Sequence, residues 1–290
     1  MEAPEMDFRA LPKIELHAHL SGSISRECLH EVWLQKVERG ETDLPDPLIE
    51  MPAGKHDYDL ETFFPLFSKC IYNLITDLPS IRTTTLSALH SFASDGVIYL
   101  ELRTTPRAIP SSNITKDLYI STILSVLHEF NTTSPMQSRL LISVDRRNTP
   151  AQAAEALALA LKYKDQGVVG LDLCGDPSKG DISIFAPVFK QAKAAGLGIV
   201  LHFAEMRIKE GSEELSTLLS WNPDRVGHVI HVPEGTDNIG VFGSLPSNEY
   251  RLLAKHFNLS EKDVCTLARG AVDLIFADEG EKERVGGLMW

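Results

Sequence analysis

Two histidines spaced two apart, His17 and His19, mark the first place in the chain where residue types suggest chemistry. They stand in the run Lys13–Leu20 (KIELHAHL). Side chains alternate between faces along a strand, so both imidazoles point the same way. Such a pair suits a divalent ion such as zinc, although an isolated HxH reads as readily as two partly exposed histidines. This pair is not isolated. The run Gly198–Glu205 (GIVLHFAE) brings His202 and Glu205, and Arg225–Val232 (RVGHVIHV) brings His228. A catalytic zinc keeps one position open for water and lowers that water's pKa to about 7. Glu205, three residues past a candidate ligand, is then placed to pass a proton to a ring nitrogen. Alone it would be an ordinary strand-end carboxylate; the histidines give it the catalytic reading.

The elements that must position these residues repeat one theme, a short apolar run ending in polar residues followed by a helical stretch. Besides the three runs above, the strands predicted are Val97–Pro106, Arg139–Arg147 and Val168–Pro177, with helices over Ala151–Lys164 and Ile184–Ala195. Alternation of this kind implies parallel pairing through right-handed crossovers. Units of about 30 residues point to an α/β fold, a (β/α)8 barrel of TIM type, whose active sites lie at the C-terminal ends of the strands. A doubly wound open sheet competes, but no GxGxxG follows any strand. Residues 21–96 exceed one crossover helix. Leu44–His56 reads as loop, with Pro45, Pro47, Pro52 and Gly54, and helix returns around Phe63–Leu74. The stretch is expected as a helical insertion over the site, either a lid or a plain surface excursion.

Residues 1–290 fit one domain of this kind, with a core of ordinary size. A net charge of −12 argues against a nucleic-acid binder, which needs a basic face. No stretch approaches the roughly 20 apolar residues of a membrane helix, and the first ten residues carry no secretory signal. Cys28, Cys70, Cys174 and Cys265 include no CxxC pair and read as free thiols of a reducing compartment. A cytoplasmic monomer without membrane or nucleic-acid partners is the expectation.

Taken together, ELHAHLSGS (Glu15–Ser23), LELRTTPR (Leu100–Arg107), VDRR (Val144–Arg147), GLDLCGDP (Gly170–Pro177), LHFAE and DRVGH (Asp224–His228) resemble the adenosine and AMP deaminase family, in particular its adenosine deaminase-like branch acting on N6-methyl-AMP. The resemblance runs from about residue 11 to 232 and resumes at Ser247–Ser260. It implies zinc-dependent hydrolytic deamination of an adenine nucleoside or nucleotide, with one Zn2+ held by His17, His19, His202 and Asp237. His228 would orient the attacking water at C6, and Glu205 would protonate N1. Gly175 would approach the purine edge, with Asp172 and Asn238 also on the substrate side. No PCxxC occurs, which sets the chain apart from the other zinc deaminases. Arg103, Arg107, Arg146 and Arg147, at the ends of the second and third strands, are candidates to grip a 5′-phosphate. Their alternative is a set of rim salt bridges. A different amidohydrolase, such as an adenine deaminase, would share the histidines and the glutamate.

The pattern breaks after the sixth strand. The family's Thr-Asp-Asp segment is matched by Thr236-Asp237-Asn238, which begins only eight residues after His228. Two βα units, about 60 residues, should lie between them, so the seventh strand is expected to be missing. Val229 stands where the family has glycine. His231 is extra, either a substitute ligand or a buried side chain. The rival expectation is therefore a non-catalytic relative that binds purine or a partner chain.

Overall fold

The computed structural model describes residues 6–53, 66–206, 213–229 and 246–289; Asp237, Asn238 and His231, all named above, lie outside the described residues. Six strands form one parallel sheet in chain order: β1 (Lys13–His19), β2 (Val97–Thr104), β3 (Gln137–Asp145), β4 (Val168–Cys174), β5 (Gly198–Phe203) and β6 (Arg225–His228). They coil into a nearly closed barrel of the α/β TIM type. The sequence expectation of strands alternating with helices is met, with most strand boundaries within two residues. The exceptions are β4, which ends at Cys174 and not Pro177, and β6, which ends at His228 and not Val232.

Helices on the outside are α1 (Arg26–Glu38), α2 (Pro47–Glu50), α3 (Phe67–Ile71 in π geometry, then Tyr72–Leu74), α4 (Leu78–Ser94), α5 (Lys116–Thr133), α6 (Pro150–Lys162), α7 (Ala186–Ala194) and α8 (Glu214–Ser220). Their starts are written in the sequence. Asp77 and Ser80 form a reciprocal capping box on α4, as Thr149 and Gln152 do on α6, and proline follows each cap. The stretch read as loop from Leu44 contains one helical turn, α2, because Asp46 caps it and Pro47 fits its first position. Side chains on one face of α1 hold this loop: Arg26 donates to the Met51 carbonyl, Trp33 to that of Leu44, and His30 pairs with Asp46 at 2.8 Å.

Alternation along the strands divides two environments. Leu100, Leu102, Leu140, Ile142, Leu171, Leu173, Ile199 and Leu201 face the helices and form the main core. Facing the barrel axis are Tyr99, Glu101, Arg103, Ser143, Asp172 and His202, all buried. Past β6 come α9 (Pro246–Phe257), α10 (Glu261–Gly270), a 3-10 turn at Ala271–Leu274 and α11 (Glu279–Gly287). They build a second core against Phe8, Leu11, Ile14 and Tyr99. From there Phe276 reaches the barrel floor. Its amide donates to Glu101 at 2.7 Å and its ring lies under the Arg225 guanidinium, which itself pairs with Glu101. A Cβ added to Gly198 would fall 2.4 Å from that ring, so β5 has a bare position where Phe276 enters. Among the described helices none is long and apolar enough to cross a membrane.

Candidate active site

His17 and His19 project from β1 and His202 from β5, each near the C-terminal end of its strand. An irregularity in β1 between Glu15 and Ala18, where the Glu15 carboxylate accepts from the His17 amide at 2.6 Å, accompanies their placement. The ligand nitrogens of His17, His19 and His202 all lie within 4.8 Å of one another. Nε2 of His19 and Nε2 of His202 are 2.8 Å apart, and Nε2 of His17 is buried with no hydrogen-bond partner among the described residues. Nitrogens gathered this closely can reach one ion at the usual zinc–nitrogen bond length of about 2 Å. A ligand nitrogen must be neutral, and two of the donors favour that form. Burial foremost, aided by neighbouring positive groups, holds His17 and His19 well below the usual histidine range. The three residues therefore fit a divalent metal.

His228 joins this cluster from β6, its ring centroid 4.7 Å from that of His17 and 4.9 Å from that of His202. Its Nε2 lies 3.6 Å from Glu205 Oε1. Burial raises the Glu205 carboxyl above its ordinary value, against the opposing pull of His202 and Arg146. Burial lowers His228 to about 3. His17, His19 and His228 thus sit below their unfolded values, so the unfolded chain takes up more protons in acid. Stability is full above about pH 6.5 and is lost progressively as the pH falls from there. His228 alone costs about 2 kcal/mol by pH 5. Urea midpoints of the metal-free protein at pH 7 and pH 5 check this; equal midpoints would contradict it.

Beneath the histidines lies a buried polar network. Asp172, fully buried on β4, accepts from Arg103 Nη1 at 2.8 Å and from the Ser143 hydroxyl at 2.8 Å, and its Oδ1 lies 3.1 Å from His202 Nδ1. Burial pushes this carboxyl up, but the Arg103 guanidinium and His202 outweigh it and hold it low. Arg103 also donates to the Leu16 carbonyl at 2.6 Å, tying β2 to β1. The pair of Asp172 with His202 is the arrangement that fixes which ring nitrogen a histidine presents to a metal.

The other residues singled out from the sequence separate into two groups. Arg103 and Arg146 are buried, Arg103 on Asp172 and Arg146 on Glu214 at 2.8 Å. Arg107 and Arg147 reach the surface of the mouth. Arg107 lies 4.2 Å over the Tyr72 ring, and Arg147 is two-thirds exposed on the Asp145 carboxylate. Gly175 has φ +99°, and a Cβ there would fall 2.8 Å from the Asp145 carboxylate, which accounts for glycine at this turn. The mouth also holds strained backbone. Ala204, His228 and Val229 have φ of 51°, 65° and 57°, a region costing an L-residue roughly 1–2 kcal/mol. Val229 keeps this conformation through its amide, which donates to the Phe203 carbonyl at 2.9 Å. Sequence reasoning missed Ser143 and Glu101; the signal was available in polar residues at alternate positions of otherwise apolar strands.

A sequence profile described as adenosine deaminase matches residues 12–234. The N6-mAMP deaminase of Arabidopsis thaliana is 31% identical over 96% of this chain and 96% of its own length, and the N6-methyl-AMP deaminase of Homo sapiens 30% over 96% and 92%. The Arabidopsis alignment runs over 346 positions against a chain of 290 residues, so at least 56 positions have no counterpart here. The crystal structure of Arabidopsis N6-mAMP deaminase superposes with a TM-score of 0.86 at 30% identity, covering 97% of this chain and 98% of that one. Arabidopsis ADAL complexed with GMP gives 0.87 at 30% identity and 97% of both chains. With the profile spanning most of the sequence and these relatives matched over nearly their whole length, the chain belongs to the adenosine deaminase family.

Proposed function

We propose that this protein is a zinc-dependent deaminase of adenine nucleotides, with N6-methyl-AMP as the first substrate to test. The observation that carries the reading is the cluster of His17, His19 and His202 with Glu205 and His228 beside it at the mouth of one barrel. The first three would hold the metal, with Asp237 as the fourth ligand. The metal when bound supplies Lewis acidity and a lowered water pKa. The chain's own residues do the rest. Asp172, buried under His202, sets the tautomer of that ring, a role that replaces the substrate contact first expected of it. Neutral His228 accepts a hydrogen bond from the attacking water and holds it against C6 of the purine. Glu205, whose carboxyl burial holds above its ordinary value, gives its proton to N1. Water oxygen replaces nitrogen at C6, one water proton leaving on the amine and the other restoring Glu205, and the products are IMP and methylamine, or ammonia from AMP. Arg107 and Arg147, at the surface of the mouth, are assigned to the 5′-phosphate in preference to buried Arg103 and Arg146. Asn238 is assigned to the purine, and Gly175 to the wall of the pocket.

The test is a direct assay of the purified, zinc-loaded chain with N6-methyl-AMP, AMP and adenosine, following IMP or inosine and the released amine. Zinc content is measured in parallel with Asp237→Ala. Turnover of the monophosphates above adenosine, with one zinc weakened by the substitution, is the expected result. A folded, zinc-loaded chain without turnover would instead favour a purine-binding, non-catalytic relative, the outcome that at least 56 absent positions make worth measuring.

A further inference from the structure

β6 pairs with β5 and, among the described strands, with no other. On its inner face it carries Gly227, whose Cα is in register with that of His202. A Cβ built on Gly227 would fall 2.2 Å from Cε1 and 2.4 Å from Nδ1 of His17, but 3.6 Å from Nε2. Ordinary contacts between such atoms are about 3.5–4.0 Å. The crowding therefore falls on the Nδ1–Cε1 edge of the ring, while Nε2, the atom left unpartnered, stays at ordinary contact distance. Conformational freedom is not the reason for glycine here, because Gly227 is absent from the positive-φ residues of the chain. Three other imidazoles flank the ring. His202 and His228 have centroids 4.7 Å from that of His17, and His19 stands at 5.6 Å.

We infer that Gly227 is a positioning residue: its bare backbone seats the His17 imidazole so that Nε2 points at the metal position. One strand register then sets two ligands, because the pairing that places Gly227 against His17 also fixes it beside His202. The same contact spans the mouth between β6 and β1, which share no backbone ladder. The link to a metal rests on the functional reading above; the packing itself does not.

A double-substitution cycle on the full chain tests it, with Gly227→Ala, His17→Ala, both together, and Val226→Ala as a control on the exposed outer face of the same strand. In the metal-free protein, Gly227→Ala should lower Tm by about 5 °C or more. In the His17→Ala background, the same substitution should lower it by little or nothing. In the zinc-loaded protein, Gly227→Ala should weaken zinc at least about 10-fold, as displacing a ligand does, while Val226→Ala leaves affinity unchanged. If Gly227→Ala alone does not fold, recovery of folding in the double variant supports the seat. Additive losses, a double variant that also fails to fold, or unchanged zinc affinity in Gly227→Ala would each overturn it. A wild-type chain that binds no zinc would sink the metal reading, and the Tm cycle would still decide whether Gly227 seats the ring.

Discussion

Asp172→Ala is expected to destabilise the protein by about 3–5 kcal/mol and to weaken metal binding about 10- to 100-fold. Asp172 is fully buried and satisfies three groups at once: Arg103, Ser143 and His202. Its removal strands the Arg103 guanidinium inside the barrel with the Leu16 carbonyl as its remaining named partner, and an unpaired buried charge accounts for most of the loss. It also frees the His202 ring, which accounts for the metal effect. Urea unfolding with a zinc titration reads both. Asp172→Asn separates them, since it keeps the shape and a hydrogen-bonding oxygen but gives up the charge, so part of the stability should return. Wild-type stability in Asp172→Ala would mean that the network carries no weight.

The second large effect belongs to Glu205. Glu205→Gln should lower kcat about 10²- to 10⁴-fold, the range for loss of a positioned general acid, while zinc content and fold remain. The pH profile sharpens the test. An acid whose pKa is raised by burial works below that pKa and fails as the pH rises through it, so the wild type should lose kcat on the alkaline side and the variant should lack that limb. A variant that keeps a tenth of wild-type kcat would remove Glu205 from the proton path.

Period-two alternation made the strands, and hence both environments of the barrel, legible from sequence. It set His17 and His19 on one face and delivered His202 and His228 from separate strands, where the structure gathers all four. It did not reveal what the charges on the inner face do to each other. Arg103 ends an apolar strand and looks like a basic residue waiting for an anion, yet its partner is Asp172, 69 residues on. Nothing local distinguishes that from Arg147, whose guanidinium is exposed. What could have warned of it is the spacing Tyr99, Glu101, Arg103. Polar groups at every second position of a strand buried on both sides must find each other inside. The glycine at 227 was likewise silent, because the need for a missing side chain comes from a ring 210 positions earlier. Counting from His228 to Asp237 makes a missing strand the expectation, and the Arabidopsis alignment runs over more positions than this chain has residues.

Glu101 has a consequence for how the chain comes off the ribosome. Its carboxylate is satisfied by Tyr99, Arg225 and the amide of Phe276. Two of those partners are translated well over a hundred codons later, so a nascent chain holding β1 to β5 carries a buried acid with one neutral partner. Such an intermediate has reason to stay open and to need chaperone cover until residue 276 has emerged. Slowing translation downstream of β5 should then lengthen the exposure of these strands to proteases, with the barrel acquiring resistance late and in one step.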